Sequence, residues 1–145
     1  MRSPRGRAGS VAVLFACCLS VVGCGPDLPE TYPTKGRVLF DDGTPVMTGT
    51  IELLSEEFGE TASGRIEDDG SFVLGTFDEQ DGACSGRHDV VVIQMIINDG
   101  VTTHNRDHGP AVDPIYATYE TSGLAVEIEP VEQNDLEVTV QKRRP

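Results

Sequence analysis

Apolar and polar residues alternate along much of the chain after residue 34. Leu136, Val138 and Val140 alternate with polar residues, and Leu124–Ile128 shows the same period of two. Such alternation is typical of strands with one buried and one solvated face. The predicted strands are Lys35–Phe40, Thr50–Leu54, Gly64–Ile66, Ser71–Leu74, Asp89–Ile97, Leu124–Ile128 and Leu136–Val140. About seven short strands without a sustained helical period predict an all-β domain, a single antiparallel sandwich, rather than an α/β fold.

Two acidic stretches that contain glycine separate predicted strands. Glu67–Gly70 predicts a tight hairpin in which Gly70 supplies a positive φ. A calcium loop would need alternating acids and a distal Glu, which this stretch lacks. The second stretch, Asp78–Gly82, is interpreted as a solvated acidic loop, with weak calcium affinity left open as the alternative.

The predicted strand Asp89–Ile97 is apolar on both faces, because only Gln94 interrupts its apolar residues. A sandwich strand needs one apolar face, so the second is either covered by another segment or forms a partner-binding or aggregation-prone surface. We expect the following segment, residues 98–114, to cover it. That segment is long and has no periodicity, so it is also the best candidate for a partner-facing surface. The candidate binding surface comprises Val90, Val92, Ile96, His104 and His108.

The N-terminus has the pattern of an export signal. Three arginines in the first seven residues precede an apolar run from Val11 to Val22, and a polar, proline-containing stretch follows Cys24. A basic start, a short apolar run and a small residue at the cut describe a signal peptide, and the run is too short to span a bilayer comfortably. Leu19–Cys24 resembles the lipobox of bacterial lipoproteins, which implies cleavage before Cys24 and lipidation of its thiol. An ordinary secreted protein cut nearby is the alternative.

The predicted organisation is therefore a signal peptide over residues 1–23, a lipid-anchored, proline-rich tether over 24–34 and a β-sandwich over 35–142. About 0.8 kcal/mol for each buried methylene makes attachment by several acyl chains effectively permanent. The membrane is thus the first expected partner. Gly25 stands where an Asp would signal inner-membrane retention in some bacteria, which favours the outer membrane.

Removal of the first 23 of the 145 residues leaves 122, with 8 basic and 24 acidic side chains and a formal net charge of −16. Such a surface repels phosphates, so nucleic acid is not an expected partner. Cys17 and Cys18 are removed with the signal peptide and Cys24 carries lipid, so Cys84 has no disulfide partner within the chain. We expect Cys84 to be a partly covered loop thiol and His88 to lie on the surface.

The sequence provides little that indicates catalysis. His104 and His108 are four residues apart, a spacing that suits zinc on a helix, but glycines and a proline bracket them. We interpret them as solvated loop histidines and predict no metal site and no cofactor. Neither a Gly-x-Ser-x-Gly motif nor a phosphate-binding glycine loop occurs, and the chain is not expected to be an enzyme.

Several segments resemble carboxypeptidase regulatory-like domains. They are Tyr32–Val46, Gly64–Phe77 and Asp81–Val92, and Tyr119–Leu124 with Asn134–Leu136 are similar to late segments of small planctomycete-type lipoproteins. The resemblance implies a transthyretin-like, seven-stranded Greek-key sandwich that serves as a non-catalytic binding or structural module of the cell envelope. The expected partner is an envelope protein or a glycan. A small-molecule or glycan recognition module that uses residues 98–114 is the alternative. A hydrolase of the hydroxyisourate type is disfavoured, because Gln141–Pro145 stands where that branch has Tyr-Arg-Gly-Ser.

Overall fold

The computed structural model describes residues 27–94 and 109–144. The predicted signal peptide, the lipidation site Cys24 and the predicted surface residues Ile96, His104 and His108 lie outside the described residues.

The described residues form nine strands and two short helices. The strands are β1 Thr31–Tyr32, β2 Thr34–Phe40, β3 Gly49–Ser55, β4 Thr61–Ile66, β5 Ser71–Val73, β6 Ala83–Cys84, β7 Gly86–Ile93, β8 Leu124–Ile128 and β9 Asn134–Val140. A 3₁₀ helix spans Pro114–Ala117 and α1 spans Tyr119–Ser122. The described part of the chain is thus mostly β, as the alternation predicted.

Each of the seven predicted strands has a counterpart, and within residues 27–94 and 109–144 the sequence missed the two-residue strands β1 and β6. The predicted boundary between tether and sandwich lies too late, since Thr31–Tyr32 and Thr34 already belong to strands. Strand β7 begins three residues before the predicted Asp89, because Gly86–His88 continue the pairing with β8.

Seven strands form two larger sheets. The three-stranded sheet has the order β5-β2-β9 and the four-stranded sheet the order β4-β3-β7-β8, while β1 and β6 form a separate pair. All pairings but one are antiparallel: β2 and β9 run parallel, with Thr34 beside Asn134 and Phe40 beside Val140. The prediction of a wholly antiparallel arrangement is therefore wrong at this pair. Alternation reports which face is buried and not strand direction, and the intervening chain is long enough for a parallel crossover.

The inward faces of both sheets meet in one hydrophobic core, an arrangement that fits a β-sandwich. Val38 and Phe40 contribute from the three-stranded sheet, and Ile51 and Val90 from the four-stranded sheet; all are at most 1% exposed. Burial of a side chain of this size stabilises the fold by about 1.5–3 kcal/mol.

The second apolar face of β7 is covered, as predicted. Val91 points away from Val90 and Val92 yet is only 1% exposed, because the 3₁₀ helix and α1 pack on β7. The Ser122 hydroxyl donates to the Val90 carbonyl, and the Val112 N–H donates to the Gln94 side-chain carbonyl at 2.8 Å. Among the described residues the cover comes from 109–122, which includes the last part of the predicted segment 98–114; residues 98–108 of that segment lie outside the described residues.

The predicted turn at Glu67–Gly70 is confirmed, but it joins two sheets. Gly70 has φ +81°, and the Glu67 N–H donates to Ser71 O at 2.9 Å. Strand β4, which precedes the turn, pairs with β3, and strand β5, which follows it, pairs with β2. One isolated bridge, between Ser63 and Gly75, links the two segments that flank the turn. The turn therefore makes a corner at which the chain passes between sheets.

The strands give the domain two opposite ends. At the first, here called the tether end, lie residues 27–30 and the turns 56–60 and 129–133, because Ser55 pairs with His88 and Gly86 with Ile128. The Asn134 side-chain amide closes the second turn through two bonds of 3.0 Å to the Glu129 backbone. Gln94, Gly109 and the bridge between Val112 and Lys142 lie at the opposite end, the far end.

Candidate functional site

The predicted binding surface is wrong for the two members that the structure describes. Val90 and Val92 are 0% and 1% exposed and belong to the core. A sandwich buries one face of each strand, and in β7 that face carries Val90 and Val92, which belong to the core cluster, while Val91 points the opposite way.

His88 and Cys84 are also buried, contrary to the predicted surface histidine and loop thiol. His88 is 1% exposed in β7, and its Nδ1 lies 3.0 Å from the Gly86 carbonyl oxygen. Burial lowers the pKa of His88. Cys84 is a free thiol, 1% exposed in β6, and burial, with the charge of Glu60 second, raises its pKa. Burial and a raised pKa both make the Cys84 thiol a poorer nucleophile.

A concave surface instead crosses the corner between the two sheets. This groove has a volume of about 1230 Å³ and is bordered by β4, by the outer faces of β5, β2 and β9, and by the loop 75–80. Three of the seven basic side chains among the described residues line it, namely Lys35, Arg37 and Arg65. A large groove with converging polar groups is the default candidate for a binding site.

Strand register arranges the groove charges in rows. Lys35 lies between Val73 and Asp135, and Arg37 lies between Ser71 and Glu137. Lys35 pairs with Asp135 at 3.5 Å. Both side chains are more than half exposed, so the ion pair adds little to the stability of the fold. Its effect is to hold the two charges beside each other in the groove.

The other two basic side chains of the groove, Arg37 and Arg65, differ in whether they form an ion pair. Arg37 pairs with Asp69 at 3.6 Å, whereas Arg65 forms no ion pair with any of the described residues. Hydrogen bonds from Ser71, with the Arg37 charge a lesser cause, lower the pKa of Asp69. Val73 is 44% exposed and adds an apolar contact in the floor of the groove.

The rim loop of the groove is held by one carboxylate. Asp81 accepts the backbone N–H groups of Thr76 at 2.6 Å, Phe77 at 3.1 Å and Asp78 at 3.2 Å. The Thr76 hydroxyl donates to the Gly82 carbonyl at 2.7 Å. Because backbone donors occupy both Asp81 oxygens, the loop does not present Asp81 to a cation. No group of three or more metal-ligating side chains occurs within residues 27–94 and 109–144.

The partly buried Tyr119 belongs to α1, one of the two helices that cover β7. The Tyr119 hydroxyl is buried, with the side chains of Glu52 and Thr61 as its polar neighbours. Burial, with the negative charge of Glu52 second, raises the pKa of Tyr119.

Sequence reasoning missed the groove, although part of its signal was present. Lys35, Arg37, Asp135 and Glu137 occupy the outward positions of two alternating strands, so each could be assigned to a solvated face. What brings them together with Arg65 is the adjacency of β5, β2 and β9 and the corner at 67–70, which alternation does not encode.

Within the described residues no helix is long and apolar enough to cross a membrane. Comparison with protein-family models, with curated proteins and with solved structures finds no match for this chain.

Proposed function

We propose that the protein is an exported, lipid-anchored module that holds a non-catalytic β-sandwich at the cell envelope, where it binds a partner. The lipobox resemblance at Leu19–Cys24 supports the anchor. A transthyretin-like Greek key is the fold proposed for the sandwich, and it is supported by seven strands in two sheets around one core.

The observation that carries this proposal is the separation of the two ends. The chain leaves the tether end at residues 27–30, whereas residue 94, which precedes the segment 98–114 expected to face a partner, and residue 109 within that segment lie at the far end. Six steps along β2 at about 3.3 Å each place the two ends roughly 20 Å apart. A lipid on Cys24 would therefore hold one end at the membrane and leave the other directed away from it.

The anchor is tested by fractionating cells that produce Cys24→Ser, which should appear among soluble exported proteins while the unaltered protein stays with the membranes. Cys84→Ser is the matched control, since it also removes a thiol but should remain membrane-bound. If Cys24→Ser stays as membrane-bound as the unaltered protein, the anchor proposal fails.

The groove favours a second candidate function, recognition of a small molecule or a glycan. Its rim is fixed by Asp81, and its floor offers hydroxyls, the exposed Val73 and the unpaired Arg65. The experiment is thermal unfolding in the presence of a glycan and metabolite panel, because a ligand at 100 times its Kd adds about 2.7 kcal/mol of stability.

Arg65→Ala should remove that added stability, and Arg143→Ala, an exposed arginine outside the groove, should keep it. Protection that survives unchanged in Arg65→Ala contradicts recognition in the groove. A panel in which nothing shifts the unfolding temperature leaves the structural role as the better account.

A further inference from the structure

We propose that the tether end contacts the bilayer surface directly, through the side chains of Leu28, Phe58 and Val131, so that the domain stands on the membrane with its far end outward. The proposal rests on the lipid anchor proposed above and adds to it an orientation and a contact surface.

Three of the five large apolar side chains that are exposed among the described residues lie at the tether end. Leu28 is 57%, Phe58 41% and Val131 42% exposed. Each belongs to a different segment: residues 27–30, the turn 56–60 and the turn 129–133. Exposed apolar side chains are ordinary when scattered, but their gathering at one end of a small domain marks a contact surface.

Local hydrogen bonds fix the turn that carries Phe58. The Phe58 N–H donates to the Ser55 hydroxyl at 3.1 Å, and the Gly59 N–H donates to Ser55 O at 3.0 Å. Ser55 itself is 2% exposed at the end of β3. Phe58 is therefore exposed at the tip of an ordered turn, and its contact with a bilayer requires no refolding.

The length of chain between the proposed lipid and the sandwich identifies the bilayer as the occupant. Seven residue steps join Cys24 to Thr31, the first residue of β1, and they span at most about 25 Å when fully extended. A second folded protein would have to fit into that gap, whereas the headgroup layer already lies within reach. The tether also gives the contact a high effective concentration, so weak apolar contacts suffice.

The charges around these three residues limit which lipids fit. Glu56, Glu57, Glu129 and Glu132 flank Phe58 and Val131, and the nearby Arg87 is already paired with Glu56 at 2.8 Å. Anionic headgroups would be repelled by these carboxylates over a distance of about 10 Å at 0.1 M salt. The surface therefore fits zwitterionic phospholipid, with the three apolar side chains entering the headgroup boundary and the carboxylates remaining in water.

The experiment uses the absence of tryptophan from the natural chain. The mature lipidated protein is reconstituted into phosphatidylcholine vesicles as single-tryptophan variants Phe58→Trp, Val131→Trp and Ile115→Trp. Ile115 is the matched control, because it is 49% exposed but lies in the 3₁₀ helix that starts at the far end. Chain-brominated lipid quenches tryptophan that reaches the acyl boundary, and urea unfolding of each variant checks that the fold is kept.

The expected result is roughly two-fold stronger quenching of Phe58→Trp and Val131→Trp than of Ile115→Trp, as shallow interfacial insertion requires. Quenching should decrease when phosphatidylglycerol replaces part of the phosphatidylcholine and recover with added salt. Vesicle flotation without quenching at Phe58 and Val131 would leave the anchor standing and overturn the contact. Equal quenching at all three positions would mean a domain lying on its side and would also overturn it.

Two further outcomes count against the proposal. The tryptophan emission of Phe58→Trp could shift to shorter wavelength as the number of protein molecules per vesicle increases, with or without brominated lipid. That result would mean that the surface binds a second copy of the chain rather than the bilayer. Failure of all variants to float with vesicles would remove the lipid anchor and the bilayer contact together.

Discussion

Replacement of Gly82 by alanine tests the position where, among the described glycines, an added Cβ would come closest to another backbone atom. Gly82 has φ +95°, and a Cβ built there would lie 1.8 Å from the Tyr32 carbonyl oxygen and 2.8 Å from the Pro33 nitrogen. Gly82 also links the groove rim to the sheet, since its N–H donates to Leu74 O at 3.0 Å. Gly82→Ala should therefore strain the backbone and separate β6 from β1.

The expected cost follows from two terms. A left-handed conformation costs an L-residue about 1–2 kcal/mol. The Tyr32 carbonyl must also move by more than about 1 Å, which breaks the short β1–β6 pairing and loses two or more hydrogen bonds at about 1 kcal/mol each. Gly82→Ala should thus lose about 4 kcal/mol, a large fraction of the 5–15 kcal/mol that stabilise a typical domain.

Alanine substitutions at two other glycines measure the conformational cost and the steric cost separately. Gly43 has φ +82° with nothing within 4 Å of a built Cβ, so Gly43→Ala should show the conformational cost alone, about 1 kcal/mol. Gly36 is not in the left-handed region, but its Cβ would lie 2.3 Å from Leu136 O and 2.7 Å from the Phe72 ring. Gly36→Ala should therefore show the steric cost alone.

The assay is urea unfolding followed by far-ultraviolet circular dichroism, which needs no tryptophan. The urea concentration at the midpoint should decrease least for Gly43→Ala, more for Gly36→Ala and most for Gly82→Ala. The m values should be similar for all three variants. If Gly82→Ala and Gly43→Ala unfold within about 0.5 kcal/mol of each other, the contact with Tyr32 does not constrain the fold and the reasoning is refuted.

Three further predictions concern the rim and the buried groups. Asp81→Ala should lose about 2–3 kcal/mol, because three backbone N–H groups lose a charged acceptor, whereas Asp78→Ala in the same loop should change urea stability by less than about 0.5 kcal/mol; equal losses would contradict the role of Asp81. Burial lowers the pKa of His88, so stability should be flat above the unfolded value of about 6.5 and fall as the pH drops below it. His88→Gln should remove that part of the slope between pH 7.5 and 5, and identical slopes would refute it. Because Cys84 is 1% exposed, a thiol reagent should modify it only as fast as the domain unfolds; modification of the folded protein at the rate of a free cysteine would contradict its burial.

The accuracy of the strand predictions has a local cause. Residues such as Val138 and Val140 alternate with polar neighbours, and a strand presents alternate side chains to opposite faces whatever lies beside it. The turn at Glu67–Gly70 was predictable for the same reason, since a glycine with positive φ is required locally. The tether boundary failed because Thr31–Tyr32 is a strand only through its pairing with Ala83–Cys84, which no short window of sequence contains.

The errors at His88, Val90 and Val92 have a different cause. Once a strand has apolar residues on both faces, its periodicity does not say which face meets the other sheet, and the packing of residues 114–122 against Val91 decided that. His88 is buried because it shares the inward face with Val90 and lies beside Val126 of β8.

The sequence by itself determined the β character of this protein, the positions of its seven main strands, its acidic charge and the lipobox-like segment that motivates the anchor. These properties depend on residue type and on spacing over a few positions. The tertiary structure alone decided the parallel pairing of β2 with β9, the groove across the corner of the two sheets and the gathering of Leu28, Phe58 and Val131 at one end. Those features join residues far apart in the chain, and their proximity is set by packing of the whole core rather than by any local preference.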